Sequence, residues 1–90
     1  MDKRAHEDWF GWELELTPHA ADRAADRGFS LPALRAMLRG VVLIRRGAQP
    51  GRWTATCSRG SRPWRLVLEP DLQRRVLVVV TAYPLRRWKP

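Results

Sequence analysis

Residues 64–83 read WRLVLEPDLQRRVLVVVTAY. Two apolar-rich arms flank a Pro70-Asp71 turn, the pattern of an antiparallel hairpin. The second arm is an unbroken apolar run over residues 76–80 that stops at two hydroxyl residues, Thr81 and Tyr83. Strand side chains alternate faces, so Leu77, Val79, Thr81 and Tyr83 are expected on one face. Arg65, Val67 and Glu69 share a face of the first arm by the same rule. Antiparallel arms run head to tail, which sets Arg65 opposite the Thr81–Tyr83 end and leaves Glu69 near the turn. Glu69 is therefore expected to pair with Arg74 or Arg75. A guanidinium, a hydroxyl and a phenol then gather where the hairpin exits. The plain alternative is a strand that finishes in polar residues at the surface.

Working outward, residues 41–46 and 52–58 read as two further strands. In the second of these, Arg52, Thr54, Thr56 and Ser58 alternate with Trp53, Ala55 and Cys57, giving one wet and one dry face. Residues 47–51 form the loop between them, and residues 59–63 the next turn. Upstream the period changes to that of helices. Thr17 is a predicted N-cap with Pro18 at the first helical position, and Gly28 stops that helix. Ser30, Pro32 and Gly40 repeat the signal for a second helix over residues 31–39. The acid–leucine alternation of residues 13–17 predicts a short edge strand. The expected fold class is α+β: two N-terminal helices packed on a four-stranded antiparallel β-sheet. Ninety residues make a single domain. Its parts are an unassigned segment 1–12, a strand and first helix 13–28, a second helix 30–40, a meander 41–83 and a basic tail 84–90.

Composition narrows the chemistry. Residues 1–26 hold seven acids and three bases, net −4, whereas residues 27–90 hold two acids and fourteen bases, net +12. Fifteen of the seventeen bases are arginine, which binds phosphate bidentately and stacks on bases. Such a field attracts RNA, DNA or an acidic protein. One cysteine and two histidines provide no disulfide and no metal-ligand spacing, so no metal and no cofactor are expected. No apolar run approaches bilayer length, and the first residues show no apolar signal core, so a cytoplasmic site and no membrane partner are expected. GAQPG, residues 47–51, lacks the lysine and hydroxyl of a phosphate-binding P-loop.

His19, Arg23 and Arg27 are spaced i, i+4, i+8 on the first helix and form one row. Alanines at 20, 21, 24 and 25 allow its other side to lie close to a sheet. Imidazole exchanges protons near neutrality, and arginines a turn away can hold a phosphate. The alternative is a solvated helix face. Trp53 and Trp64 are expected to pack on the sheet, and Trp88 to stack on a base or cover an edge.

Two segments together, LTPHAADRAADRGFSLPALRAMLRG (residues 16–40) and VLEPDLQRRVLVVVTAYPL (residues 67–85), resemble a small bacterial toxin domain family. Its members have a Thr-x-His-x-x-x-Arg-x-x-x-Arg-Gly start and a closing hairpin that often ends in a Val-Thr-Val-Tyr or Val-Thr-Ala-Tyr strand. They occur alone or as C-terminal modules of contact-dependent inhibition and other polymorphic toxins, and are grouped by fold with barnase, colicin and RelE-like ribonucleases. The resemblance covers residues 14–85. It implies a metal-independent endoribonuclease in which the RNA 2′-hydroxyl attacks the adjacent phosphorus. His19, Arg23, Thr81 and Tyr83 are the implied catalytic residues, and Arg27, Arg65 and Arg52 the phosphate-binding ones. His19 would act as general acid or base, Arg23 and Arg65 would stabilise the phosphorane, and Tyr83 would bond the phosphate or protonate the leaving oxygen. An acidic antitoxin or immunity protein is the implied partner, and delivery into a neighbouring bacterial cell an implied route. This scheme requires the His19 imidazole and the Tyr83 phenol to converge on one cationic pocket. A non-catalytic basic module that binds nucleic acid or an acidic protein makes no such demand.

Overall fold

In the computed structural model, residues 7–28 and 30–86 are described. His6 and the tail residues Arg87, Trp88 and Lys89 lie outside them. In chain order the elements are α1 (Glu7–Phe10), β1 (Glu13–Leu16), α2 (Pro18–Arg27), α3 (Leu31–Arg39), β2 (Leu43–Arg46), β3 (Trp53–Arg59), β4 (Arg62–Asp71) and β5 (Val76–Pro84).

Local chemistry sets both long helices. The Thr17 hydroxyl accepts from the Ala20 N–H at 3.1 Å and donates to the Val80 carbonyl at 2.8 Å. One side chain thus caps α2 and fastens it to β5. Gly28 ends α2 at φ 70°, in the left-handed region that glycine occupies without strain. The Arg59 guanidinium donates to the Arg27 and Gly28 carbonyls, both at 3.3 Å, and so satisfies groups that a helix end leaves bare. Ser30 caps α3 through the Ala33 N–H. Arg35 donates to the Phe10 and Trp12 carbonyls and ties α1 to α3.

The domain is α+β, but the sheet has five strands rather than four and is mixed rather than antiparallel. Its order is β1-β5-β4-β3-β2, with β1 parallel to β5 and every other pairing antiparallel. The expected meander is the β2–β5 part. The short acid–leucine strand does lie at an edge, where Leu14 and Leu16 align with Leu77 and Val79, and Glu13 and Glu15 with Val76 and Val78. Pairing there buries the leucine side of β1 against the core and leaves the acids on the other face.

Both long helices cover one sheet face. Ala20 and Ala24 of α2 and Leu34 and Leu38 of α3 join Leu66, Leu68, Leu77 and Val79 in one buried cluster. A register shift between Val67 and Leu68 changes what β5 presents: Val67 pairs with Thr81 but Leu68 pairs with Val79, so Val80 is an extra residue. An inserted residue reverses the alternation beyond it. Leu77 and Val79 therefore face the helices, whereas Thr81 and Tyr83 face away and Ala82 takes the buried side. The expectation that all four share one face fails at this bulge.

Cys57 is fully buried on the helix side, and burial pushes its thiol from 9.0 up to about 12. It is no nucleophile at neutral pH. Native protein at pH 8 is expected to react with a thiol reagent only on unfolding; rapid labelling of folded protein would contradict this packing. Because the folded thiol holds its proton more tightly than the unfolded one, the associated stability is present below pH 9 and is lost as pH rises towards 12.

Candidate nucleic-acid interface on the open sheet face

The α2 row does not behave as one stripe. At 3.6 residues per turn, each i, i+4 step advances about 40° around the axis. Ala20 and Ala24 face the sheet, so the row begins in solvent at His19, stays exposed at Arg23 and turns inward at Arg27. Arg27 donates to the Ala82 carbonyl at 3.3 Å. Its guanidinium carbon lies 5.8 Å from the centre of the Trp64 ring. Arg27 thus clasps β5 beyond the end of β1, on the helix side.

The open face carries a different set. Thr56, Arg65 and Tyr83 are successive partners across β3, β4 and β5, and Thr54, Val67 and Thr81 form the adjacent row. Side chains at such cross-strand positions are near neighbours. The hairpin reading that set Arg65 beside the Thr81–Tyr83 end thus matches the register. Arg65 is half-buried, and its Nε is buried without a hydrogen-bond partner. A buried, unsatisfied charged donor costs stability unless something outside the chain completes it. The Tyr83 hydroxyl makes no hydrogen bond among the described residues.

Charge is graded along this face. The β4–β5 turn end carries Glu13, Glu15, Glu69 and Asp71. There Arg74 bonds Glu15 at 2.7 Å and lies 3.6 Å from Asp71. The hydrogen bond and charge of Glu15, with Asp71 adding, raise the Arg74 pKa above its usual value. Glu69 does not pair with Arg74 or Arg75; it meets Arg52 at 3.5 Å. Arg52 precedes Trp53, the partner of Leu68, so it stands across from Glu69 on the same face. The phosphate-binding candidate Arg52 is thus already held, although Arg52 is partly exposed and Glu69 half exposed, and such solvent-reached pairs are weak. The opposite end of this face carries Arg65. Arg59 and Arg62, partners at the β3–β4 turn, share the alternation of Cys57 and Trp64 and belong to the helix side, where Arg59 bonds the end of α2.

The structure therefore brings together Arg65, Thr81 and Tyr83. It sets Arg52 at the margin of that group and leaves His19, Arg23 and Arg27 in the helix layer. The expected convergence of the His19 and Tyr83 rings is not found, because the two residues project from different layers. Sequence reasoning passed over Thr54 as a site residue, although the alternation of β3 had marked it as wet; Thr56, expected on the same wet face, is buried beside Arg65. Among the described residues no group of three His, Cys, Asp or Glu side chains could hold a metal ion, and no helix is long and apolar enough to cross a membrane. Compared with protein-family models, curated proteins and solved structures, the chain matches none.

Proposed function

We propose that the chain binds RNA on the open face of its sheet. The observation that carries this reading is the half-buried Arg65 guanidinium, whose Nε lacks a partner among the described residues, directly across from a Tyr83 hydroxyl that makes no hydrogen bond among them. Arg65 is only half-buried, so its guanidinium can turn a donor to a phosphate oxygen, and the net charge of +8 supplies the long-range attraction.

A second reading, metal-independent endoribonuclease, is favoured by the same Arg65–Tyr83 adjacency and by the resemblance to toxin domains of the barnase, colicin and RelE-like group. The 2′-hydroxyl attacks phosphorus, the bond to the 5′-oxygen breaks, and a cyclic phosphate remains. Arg65 stabilises the charge on the phosphorane. The leaving oxygen takes the Tyr83 proton, solvent water takes the 2′-hydroxyl proton, and solvent later reprotonates the phenolate. Thr81 orients the phosphate. His19 and Arg23 have no part in this version. An acidic antitoxin or immunity protein would neutralise the domain by covering the same face.

The test is incubation with total RNA in EDTA, with binding read by anisotropy and products by end mapping. Salt-sensitive binding supports the first reading, and cyclic-phosphate ends that disappear in Tyr83→Phe support the second. Absence of RNA binding at low salt overturns both. His19→Ala changes an exposed side chain and is expected to alter affinity and any cleavage by no more than about twofold. Loss of cleavage with binding retained would restore the imidazole to the mechanism.

A further inference from the structure

The loop between β2 and β3 stands over the open face and makes a cleft there. The Gly47 N–H bonds the Arg52 carbonyl at 2.7 Å, and the Arg52 N–H bonds the Gln49 carbonyl at 3.2 Å. A Cβ at Gly47 would meet Arg52 atoms at 3.1–3.3 Å, so glycine lets the two ends of the loop approach without displacing Arg52 by a few tenths of an ångström. The loop is thereby braced at its base. The cleft below it has a volume of about 290 Å³ and is lined by Gly47, Ala48, Gln49, Arg52, Thr54 and Val67. That is close to the lower limit of about 300 Å³ for small-molecule sites.

We propose that this cleft is a nucleobase subsite and that Gln49 determines which base it prefers. The inference rests on the RNA-binding reading above. Val67 gives the cleft an apolar floor, on which the face of a base can lie. The Gln49 amide lines the cleft, offers both a donor and an acceptor to the edge of a base, and makes no hydrogen bond among the described residues. Thr54 lends only a weak 3.5 Å contact to the Arg45 carbonyl, so its hydroxyl can turn to the ligand. Arg52, anchored by Glu69, closes the end remote from Arg65. Val67 and Arg65 are two residues apart on one face of β4, about 7 Å at strand spacing. That matches the reach from a backbone phosphate across its sugar to its base. The second cleft, behind the same loop, is less suited: Arg46 already stacks over its Trp53 ring, 5.2 Å from the ring centre.

The experiment uses the full chain and fluorescent single-stranded oligoribonucleotides of one length: oligo-U, oligo-C, oligo-A and an abasic ribose-phosphate strand. Wild type is expected to bind at least one base series about fivefold or more tighter than the abasic strand, and to rank the three bases. In Gln49→Ala the ranking is expected to flatten to within about twofold. Gln49→Glu, which loses the amide donor, is expected to reorder it. If wild type binds the abasic strand as well as the others, the base subsite is overturned while RNA binding stands. If the ranking survives in Gln49→Ala, the role of Gln49 is overturned. If no strand binds, the underlying reading fails first.

Discussion

Arg65→Met is expected to lower RNA affinity by about tenfold or more while leaving the fold at least as stable as wild type. The two parts of this outcome have one cause. A charge-assisted hydrogen bond to phosphate is worth about 1.5–3 kcal/mol, and 1.4 kcal/mol is about a factor of ten. Loss of one phosphate contact also reduces the slope of log affinity against log salt by about one. Methionine keeps the apolar stem that packs between Thr56 and Tyr83. It also removes the buried Nε that has no partner among the described residues, and with it a desolvation penalty. Most substitutions at half-buried positions cost stability; one that weakens binding and spares stability marks a residue retained for its ligand. Anisotropy titrations at several salt concentrations, beside thermal denaturation, check both parts. An affinity within twofold of wild type, or an unchanged salt slope, would remove Arg65 from the interface.

Leu66→Ala is expected to destabilise the domain by about 3–5 kcal/mol. Leu66 is fully buried in the central strand, and its two cross-strand partners are Ala55 and Ala82, also buried. Leucine fills the space that this pair of small residues leaves beneath the helices. A third alanine in that row leaves a void that neither neighbour can reach, so relaxation recovers little. For a domain of this size each kcal/mol moves the melting temperature by about 4–8 °C. The variant should therefore melt more than 10 °C below wild type, or fail to fold if the parent lies near the low end of the usual 5–15 kcal/mol. A loss below about 1 kcal/mol in chemical denaturation would mean that this row is not the core.

Much of the architecture was legible along the chain because its causes are local. Thr17, Pro18 and Gly28, then Ser30, Pro32 and Gly40, bound two helices through groups within a few residues of each other. The alternation in residues 52–58 marked a strand, although Thr56 on its expected wet face is buried. The hairpin itself was legible, but its turn lies at residues 72–75 rather than at Pro70 and Asp71, which belong to β4; that later turn, with the extra residue Val80, sets Arg65 against Tyr83. The acid–leucine alternation marked an edge strand. It carried no sign that the strand would pair parallel to β5, since the chain between the two contains both long helices and three other strands. The partner of Glu69 was misplaced for a similar reason. Arg74 and Arg75 are close along the chain, whereas Arg52 is close only across β3 and β4.

The amino-acid order by itself determined the element types, the basic half of the chain and the company of Arg65, Thr81 and Tyr83. Tertiary structure alone decided which side of the sheet that company occupies and that His19 is absent from it. Three consecutive valines, 78–80, look identical to any rule of alternation. The bulge among them arises from the fit of β5 to β4, and one extra residue turns the hydroxyls from the covered face to the open one. In α2, the drift of about 40° per i, i+4 step carries Arg27 to the sheet and leaves His19 in solvent. Contacts that depend on packing between distant segments were invisible for that reason, and those that depend on neighbouring residues were not.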